Sequence, residues 1–363
     1  MVPLSAGDRG RVAAVVPTVG ASPHLGRCLE ALRAEGVETV VVHQGAGEPP
    51  EDARRLADRL LRLPENLGFA AATNLGIAAT AGDYVATVND DAVVEPGWAA
   101  ALVAALDADP GAAAAQGTNL RLADPAHLDG RGLAWNRWWQ AVQVGHGEPA
   151  AGLETDAADA AEAAARGSGP AVGAPAAGAA APARRAAGGR GPAGSDSIPR
   201  PGAAAAEVFG VSATAALYRR SALAAVALRP GETFDRRLGA YYEDVDLACR
   251  LRRAGWRALW APAARALHAG SLTGDRRRAR RLTRLHGNRW AVAARCLGRR
   301  FPAAAPRMAA RDLADLARAL GRADLAAAAA VAAGWARALA LLPGALHRGA
   351  PCPGAALEED RRG

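Results

Sequence analysis

Two clusters of carboxylates and one histidine hold most of the chemical potential of this chain. The first cluster lies in Gly82-Asp83-Tyr84-Val85-Ala86-Thr87-Val88-Asn89-Asp90-Asp91-Ala92-Val93-Val94-Glu95-Pro96-Gly97-Trp98, where a short apolar, β-prone run ends in Asp90 and Asp91 and Pro96 opens a helix. Adjacent acids repel and cost desolvation energy unless a cation balances them. In open α/β sheets ligands bind just outside the carboxyl ends of the strands. A hard divalent cation that also holds substrate phosphates needs only one or two carboxylates. A metal–diphosphate site is therefore one reading of the run. A solvated turn with a helix N-cap is the other, because Asp and Asn favour both. The second cluster, Glu243, Asp244 and Asp246, opens a helical stretch that runs to Arg253, with arginines in its last turn and Gly255 as its stop. Acids there also complement the helix dipole, so a purely structural role stays open. His268 follows soon after the next strand. A metal held by carboxylate and imidazole, beside a separate carboxylate free to take a proton, is a workable transferase site.

The elements that must position these groups alternate along the chain. Val12 to Val19 reads as a buried strand and Pro23 to Glu35 as a helix with Leu25, Cys28, Leu29 and Leu32 on one face. Val37 to His43 is a second strand, Asp52 to Leu61 a second helix and Leu63 a short strand position. Asn66-Leu67-Gly68 is a turn, Phe69 to Ala81 a helix, Tyr84 to Asn89 a strand and Trp98 to Leu106 a helix. Strands and helices in this alternation predict a parallel, doubly wound sheet. From about Ala150 to Ala206 the chain is Ala, Gly, Pro and Arg with almost no large apolar residue, so it is read as a disordered insertion. Order is expected to resume at Glu207, with strands at Val208 to Val211 and Ala215 to Tyr218 and the acidic helix from Glu243. Arg257 to Trp260 would be a closing strand and Pro262 to His268 the lead out of it, with Trp256 and Trp260 in the core. Beyond Asp275 the chain is Arg-rich and helical to about Leu342, followed by a polar tail.

Composition narrows the function classes. A chain of 363 residues suggests one large domain or a domain with an appendage. It contains no lysine, so the net charge of +8 reflects one-sided Arg usage and carries no implication of a nucleic-acid site. A basic surface suits anionic substrates or lipid headgroups equally well. Cys28, Cys249, Cys296 and Cys352 are scattered, without a C-x-x-C pair or zinc-like spacing, and a reducing cytosol is expected. No signal peptide is expected before the first strand and no stretch reads as a membrane span. Leu325 to Leu342 comes nearest, but Arg337 interrupts it, and a packed helix is the preferred reading.

Five motifs, Val15-Val16-Pro17-Thr18, Glu65-Asn66-Leu67-Gly68-Phe69-Ala70-Ala71-Ala72-Thr73-Asn74-Leu75-Gly76, Asn89-Asp90-Asp91, Tyr242-Glu243-Asp244-Val245-Asp246-Leu247 and His268, occur in the order seen in family-2 glycosyltransferases. The chain resembles their non-processive branch, which includes rhamnosyl- and galactofuranosyltransferases. The resemblance covers roughly Val12 to Trp290, interrupted by the insertion. It implies a GT-A fold: an α/β, doubly wound, mostly parallel sheet with a Rossmann-like nucleotide-sugar-binding half over residues 10–149 and an acceptor half over 207–274. The insertion would occupy 150–206, a helical extension 275–345 and a flexible tail 346–363.

The resemblance further implies inverting transfer of a sugar from a nucleotide-diphospho-sugar to a saccharide or lipid-linked saccharide in envelope or polysaccharide synthesis, with Mg2+ or Mn2+ as cofactor. Pro17 and Thr18 would lie at the nucleotide, as would Asn66, Gly68 and Asn74 of the E-N-x-G pattern. Asp91 matches the metal-binding acid, Asp90 its neighbour and His268 the late metal or diphosphate ligand. Asp244 matches the general base and Glu243 an acceptor-positioning acid, while Asp246 would cap its helix or pair with an arginine. The chain departs from the family in two places. Asn89 stands where many members have an Asp, and Val42-His43-Gln44-Gly45 replaces an Asp that grips the nucleoside, so His43 or Gln44 would substitute. His286-Gly287-Asn288-Arg289-Trp290 is similar to the stretch after the catalytic domain in the non-processive branch. Arg276 to Arg289 is read either as a solvated helix face or as a strip over acceptor phosphate or a membrane surface, for a cytoplasmic or peripheral inner-membrane protein. A catalytically degenerate sugar-nucleotide binder and a sugar nucleotidyltransferase are the competing functions; the second would want a glycine-rich basic loop that Pro17-Thr18-Val19-Gly20 lacks.

Overall fold

The computed structural model describes residues 4, 10–20, 22–151, 205–270, 275–346 and 352–353. The expected disordered insertion falls, over 152–204, outside the described residues, as does most of the expected flexible tail.

Val12–Thr18 (β1), Glu38–Gln44 (β2), Arg59–Leu63 (β3) and Tyr84–Val88 (β4) pair in parallel in the order β3-β2-β1-β4. The helices between them, Leu25–Ala34 (α1), Glu51–Leu56 (α2) and Phe69–Ala78 (α3), make the crossover connections that parallel strands require. After Ala92–Val94 (β5) and Trp98–Ala108 (α4), the long strand Ala112–Arg121 (β6) enters the same sheet. Asp124–Gly130 (β7) folds back on β6, and Leu133–Trp135 (β8) pairs with Ala141–Gln143 (β9) in a small separate ribbon. Ala206–Val208 (β10), Ala215–Arg219 (β11) and Arg257–His268 (β12) complete a sheet ordered β10-β12-β6-β11-β4-β1-β2-β3. Only β10, β11 and the accessory strands β5 and β7 run against the rest. The carboxyl ends of β1, β2, β4 and β12 therefore share one edge of the sheet, where Thr18, Gln44, Asn89–Asp91 and His268 are found.

Period-two alternation splits each strand between two cores. Val12, Ala14 and Val16 face Leu25, Leu29, Leu32, Trp98 and Leu102 of α1 and α4. Val15, Val40 and Val42 face the other layer, which holds Ala70 and Ala72 of α3 and Leu247 and Leu251 of Glu243–Arg253 (α6). A short helix, Arg220–Ala225 (α5), follows β11. A third cluster, with Trp135, Tyr242, Val245, Cys249, Val292, Leu297 and Met308, joins α6 to the C-terminal helices Asp275–Leu297 (α7), Phe301–Gly321 (α8) and Leu325–Leu341 (α9).

Four expectations need correction. The second helix stops at Leu56, because Ala57 turns extended and Arg59–Leu63 zips onto β2 from Val40↔Arg59 to Gln44↔Leu63. The segment expected to lead out of the closing strand is part of it, since β12 follows β6 to His268 and absorbs the irregularity at a bulge between Trp260 and Arg265. Residues 112–143 were read without strands, yet the Ala-rich β6 runs through the middle of the sheet; small buried side chains between two neighbours override weak β propensity. Finally, Leu325–Gly344 does meet the length and hydropathy of a membrane span, with a third of that window buried. In this fold α9 crosses α7 where a Cβ on Gly334 would lie 2.6 Å from His286 Cβ, an approach only glycine allows. Arg337 is not a stray charge there: its Nε donates to Asn288 Oδ1 at 2.7 Å and its Nη2 to the Arg237 carbonyl at 2.6 Å.

Candidate functional site

Two clefts open on the carboxyl edge of the sheet and share Phe69, Ala240, Tyr241 and Arg281 as a common wall. The first, about 470 Å3, is lined by Pro17, Thr18, Gln44, Asn66, Gly68 and Asp90, with Arg280, Arg281 and Arg284 of α7 opposite. The second, about 510 Å3, is lined by Asn89, Asp91, Asp129, His268, Ser212, Thr214, Glu243 and Asp244.

The β4–β5 turn supplies the junction. Thr18 Oγ1 donates to Asp90 Oδ2 at 2.6 Å and accepts from the Gly20 N–H at 2.9 Å, so the end of β1 holds Asp90 from the side. Ser22 Oγ donates to the Asp90 carbonyl at 2.9 Å. The Asn89 N–H donates to the Thr214 carbonyl at 2.8 Å, tying the turn to the loop before β11. Burial and the neighbouring Asp91 charge push the Asp90 carboxyl up to about 6, against the pull of the Thr18 hydrogen bond. Antiparallel pairing of β5 with β12 sets His268 opposite Ala92, one residue past Asp91. His268 Nε2 lies 3.2 Å from Asp91 Oδ1, and Nδ1 donates to Asp129 Oδ2 at 2.9 Å. Burial disfavours the imidazolium, but hydrogen bonds and charges from Asp129 and Asp91 outweigh it and raise His268 to about 9. An imidazole whose Nδ1–H is fixed by a carboxylate while Nε2 faces a second carboxylate is a recurrent metal-ligand arrangement. Asp91 and His268 thus fit a divalent cation by chemistry and orientation, with Asp129 orienting the ring.

The far wall of the second cleft is the first turn of α6. Tyr241 and Tyr242 precede it at φ 69° and 72°, a left-handed pair without glycine. Strain of this kind persists only when the surroundings over-determine it. Here Asn288 of α7, fully buried, points its Nδ2 at the carbonyls of Leu238, Ala240 and Tyr241 at 3.0, 3.1 and 2.7 Å, and Arg337 Nη2 reaches the Leu238 carbonyl at 3.0 Å. Asp244 accepts from the Val245 N–H at 2.8 Å and from the Ala213 N–H at 3.3 Å. Burial nonetheless lifts its carboxyl above the usual range. Glu243 is more buried, with Oε2 unpartnered, and burial plus the Asp244 charge raise its carboxyl as well. Asp246 is not part of the cleft. Fully buried, it is gripped by Arg250 and Arg295, the second of which also reaches Asp235.

Most of the residues singled out in the sequence meet at this edge, and two do not. Asn74 is a buried strut, its Nδ2 on the Phe234 carbonyl at 2.8 Å and its Oδ1 accepting from the Thr233 and Phe234 N–H groups at 3.0 and 2.8 Å. Both lone pairs of its Oδ1 and one N–H of its amide are thereby committed to the loop at Thr233 and Phe234. His43 is 4% exposed and lines neither cleft, its Nε2 donating to the Gly47 carbonyl at 3.2 Å. Gln44 does line the first cleft, with Oε1 accepting from the Leu67 N–H at 3.0 Å. Asn66 Oδ1 accepts from the Gly68 N–H, and Gly68 itself is at φ +89°, where a Cβ would meet the Gly239 carbonyl oxygen at 2.9 Å. Asp129 was missed, because no local pattern marks a lone acid in a polar strand as the partner of a histidine 139 residues away. Tyr241 and the individual arginines of α7 were missed as well.

Residues 13–140 match the family described as Glycosyl transferase family 2. No match is found among curated proteins. Among solved structures, GalNAc-T7 with UDP, GalNAc and Mn2+ is similar at TM-score 0.51 and 12% identity, covering 80% of this chain. This chain spans about half of that one, 48% of its length. The mannosyltransferase PcManGT from Pyrobaculum calidifontis, in complex with GDP-Man and Mn2+, is similar at TM-score 0.49 and 20% identity, over 91% of this chain and 87% of that one. The fold is that of GT-A glycosyltransferases: a large, mostly parallel α/β sheet with a helical C-terminal region.

Proposed function

We propose that this chain is an inverting glycosyltransferase that moves a sugar from a nucleotide-diphospho-sugar to a hydroxyl of a saccharide or lipid-linked saccharide. One observation carries the proposal. Two clefts meet at Asp90–Asp91 and His268, with a raised-pKa carboxylate pair across the second from the histidine. The family match over residues 13–140 supports the donor class, as does UDP with Mn2+ in the GalNAc-T7 structure.

In this reading the nucleoside lies in the first cleft against Pro17, Thr18, Gln44 and Asn66. Arg280, Arg281 and Arg284 line the opposite side and give the diphosphate cationic neighbours. Asp91 and His268 would hold Mg2+ or Mn2+, which when bound offsets the charge that develops on the leaving diphosphate. Asp244 takes the proton of the acceptor hydroxyl. The acceptor oxygen attacks the anomeric carbon, the bond to the diphosphate oxygen breaks on the opposite face, and the proton leaves Asp244 to solvent. A carboxylate made more basic by burial suits that task near neutral pH. Glu243, protonated by its surroundings, offers a hydrogen bond to a second acceptor hydroxyl. The arginines of α7 and the exposed Leu313, Leu320, Leu325 and Leu339 support a cytoplasmic location with peripheral contact to an anionic membrane carrying the acceptor.

A panel of UDP-, GDP- and dTDP-sugars with Mn2+ tests this by donor hydrolysis and by the anomeric configuration of the transferred sugar. Asp91→Ala should lose metal-dependent turnover, and Asp244→Asn should keep donor binding while losing transfer. Retained transfer in Asp244→Asn, or a retained anomeric configuration, would overturn the mechanism.

A further inference from the structure

Three of the four cysteines, far apart in sequence, meet in space. Cys249 comes from α6, Cys296 from the last turn of α7 and Cys352 from the C-terminal segment. Their sulfurs all lie within 4.8 Å of one another, and all three are buried. Cys352 docks by its backbone too, its N–H donating to the Cys296 carbonyl at 2.8 Å. The sulfurs of Cys296 and Cys352 are 2.7 Å apart.

We propose that Cys249, Cys296 and Cys352 form a thiolate site for a soft d10 cation, Zn2+ or Cu+, separate from the cleft and independent of the glycosyl-transfer reading. Soft thiolates select these ions over the Mg2+ or Mn2+ that an Asp–His pair would hold. Zinc–sulfur bonds of about 2.3 Å put three ligand sulfurs about 3.8 Å apart, so a small opening of the 296–352 pair completes the set. Arg253 Nη2 donates to the Cys296 carbonyl at 3.3 Å. A bound cation would favour the thiolate form at all three. A disulfide between Cys296 and Cys352 would use two of the sulfurs and leave Cys249 idle. No other His, Asp or Glu among the described residues joins the cluster, so the ion would have three protein ligands. Such an ion would fasten the C-terminal segment to α6, the helix that begins with Glu243 and Asp244.

The test uses the full chain purified with a reductant, stripped of metal and titrated with Co2+. A thiolate-to-cobalt charge-transfer band is expected to saturate stoichiometrically, a signal that Asp91 and His268 do not produce. Zn2+ or Cu+ should displace the cobalt, and the ion that does so at the lower concentration is the preferred one. The band should vanish in Cys352→Ser, which leaves α6 and α7 intact, and persist in Cys28→Ser. Added Zn2+ should raise the Tm of the parent and leave that of Cys352→Ser unmoved. The proposal is overturned by absence of the band, by its persistence in Cys352→Ser, or by isolated protein two hydrogens lighter with Cys296 joined to Cys352.

Discussion

Removing the Asn288 side chain would test whether the helical extension holds the acidic turn in its working shape. Tyr241 and Tyr242 both occupy left-handed backbone, which opposes folding by about 1–2 kcal/mol for each non-glycine residue. Asn288 counters this with a donor shared among three carbonyls and an oxygen that accepts from Arg337 Nε at 2.7 Å. A neutral hydrogen bond contributes about 1 kcal/mol net and one to a charged group about 1.5–3 kcal/mol. Part of this is recovered when the loop relaxes in Asn288→Ala, and a loss of about 3 kcal/mol is expected. It should appear as a lower urea midpoint at unchanged slope. Relaxation of Tyr241–Tyr242 also shifts the first turn of α6, so transfer should slow by about a hundredfold, the usual consequence of an ångström of misplacement. Asn288→Asp sharpens the test. It keeps the size and the Arg337 contact but turns an anion toward three carbonyl oxygens, and should be at least as damaging. An Asn288→Asp protein with the parent's midpoint and turnover would refute the reasoning.

Other substitutions probe other parts of the site. Asp246→Asn should cost about 3–5 kcal/mol by leaving Arg250 and Arg295 around an uncharged buried group, and a loss below about 1 kcal/mol in denaturant would show that solvent screens them. Asp129→Asn should weaken Mn2+ activation by about 10–100-fold with little change in Tm, because it frees the ring of His268. Unchanged Mn2+ titration would remove Asp129 from the site. Glu243 has a folded pKa above its unfolded one, raised by burial and then by Asp244. Its contribution to stability is therefore complete below the unfolded value of 4.5 and is lost as pH rises through the folded one. Glu243→Gln should flatten that decline in denaturation midpoint; a parent with no decline contradicts the assignment.

The sequence was most readable where local rules suffice. The β1, β2 and β4 strands are centred on apolar, β-branched residues, and the turn at Gly68 announces its own geometry. Asp91 and Asp244 stood out because paired acids beside buried elements need a reason. Three kinds of feature were hidden. The alanines of β6 have no strand preference of their own, and their place comes from β11 and β12 on either side. Asp129 and the three cysteines acquire meaning only from partners far along the chain. Asn74 shows the reverse hazard: a motif residue whose chemistry suits a ligand is used instead to brace the loop at Thr233 and Phe234. The stretch His286 to Trp290 likewise holds the helical layer together. Asp312 accepts from His286, Arg289 and Trp290 at 2.7, 2.8 and 2.8 Å, while Gly287 makes room for α9.

The clasp on the acidic turn has a consequence for how the protein is made. Synthesis delivers β1 through α4 early, and that layer can begin to pack while the rest of the chain is still on the ribosome. The turn at Tyr241–Tyr242 emerges later and then waits, since Asn288 and Arg337 come 47 and 99 residues after the carbonyls they hold. Until those two residues have cleared the exit tunnel, the donor half can exist without a competent acidic wall. On the function proposed above, a nascent chain stalled before residue 337 would hold sugar nucleotide and pass it to nothing.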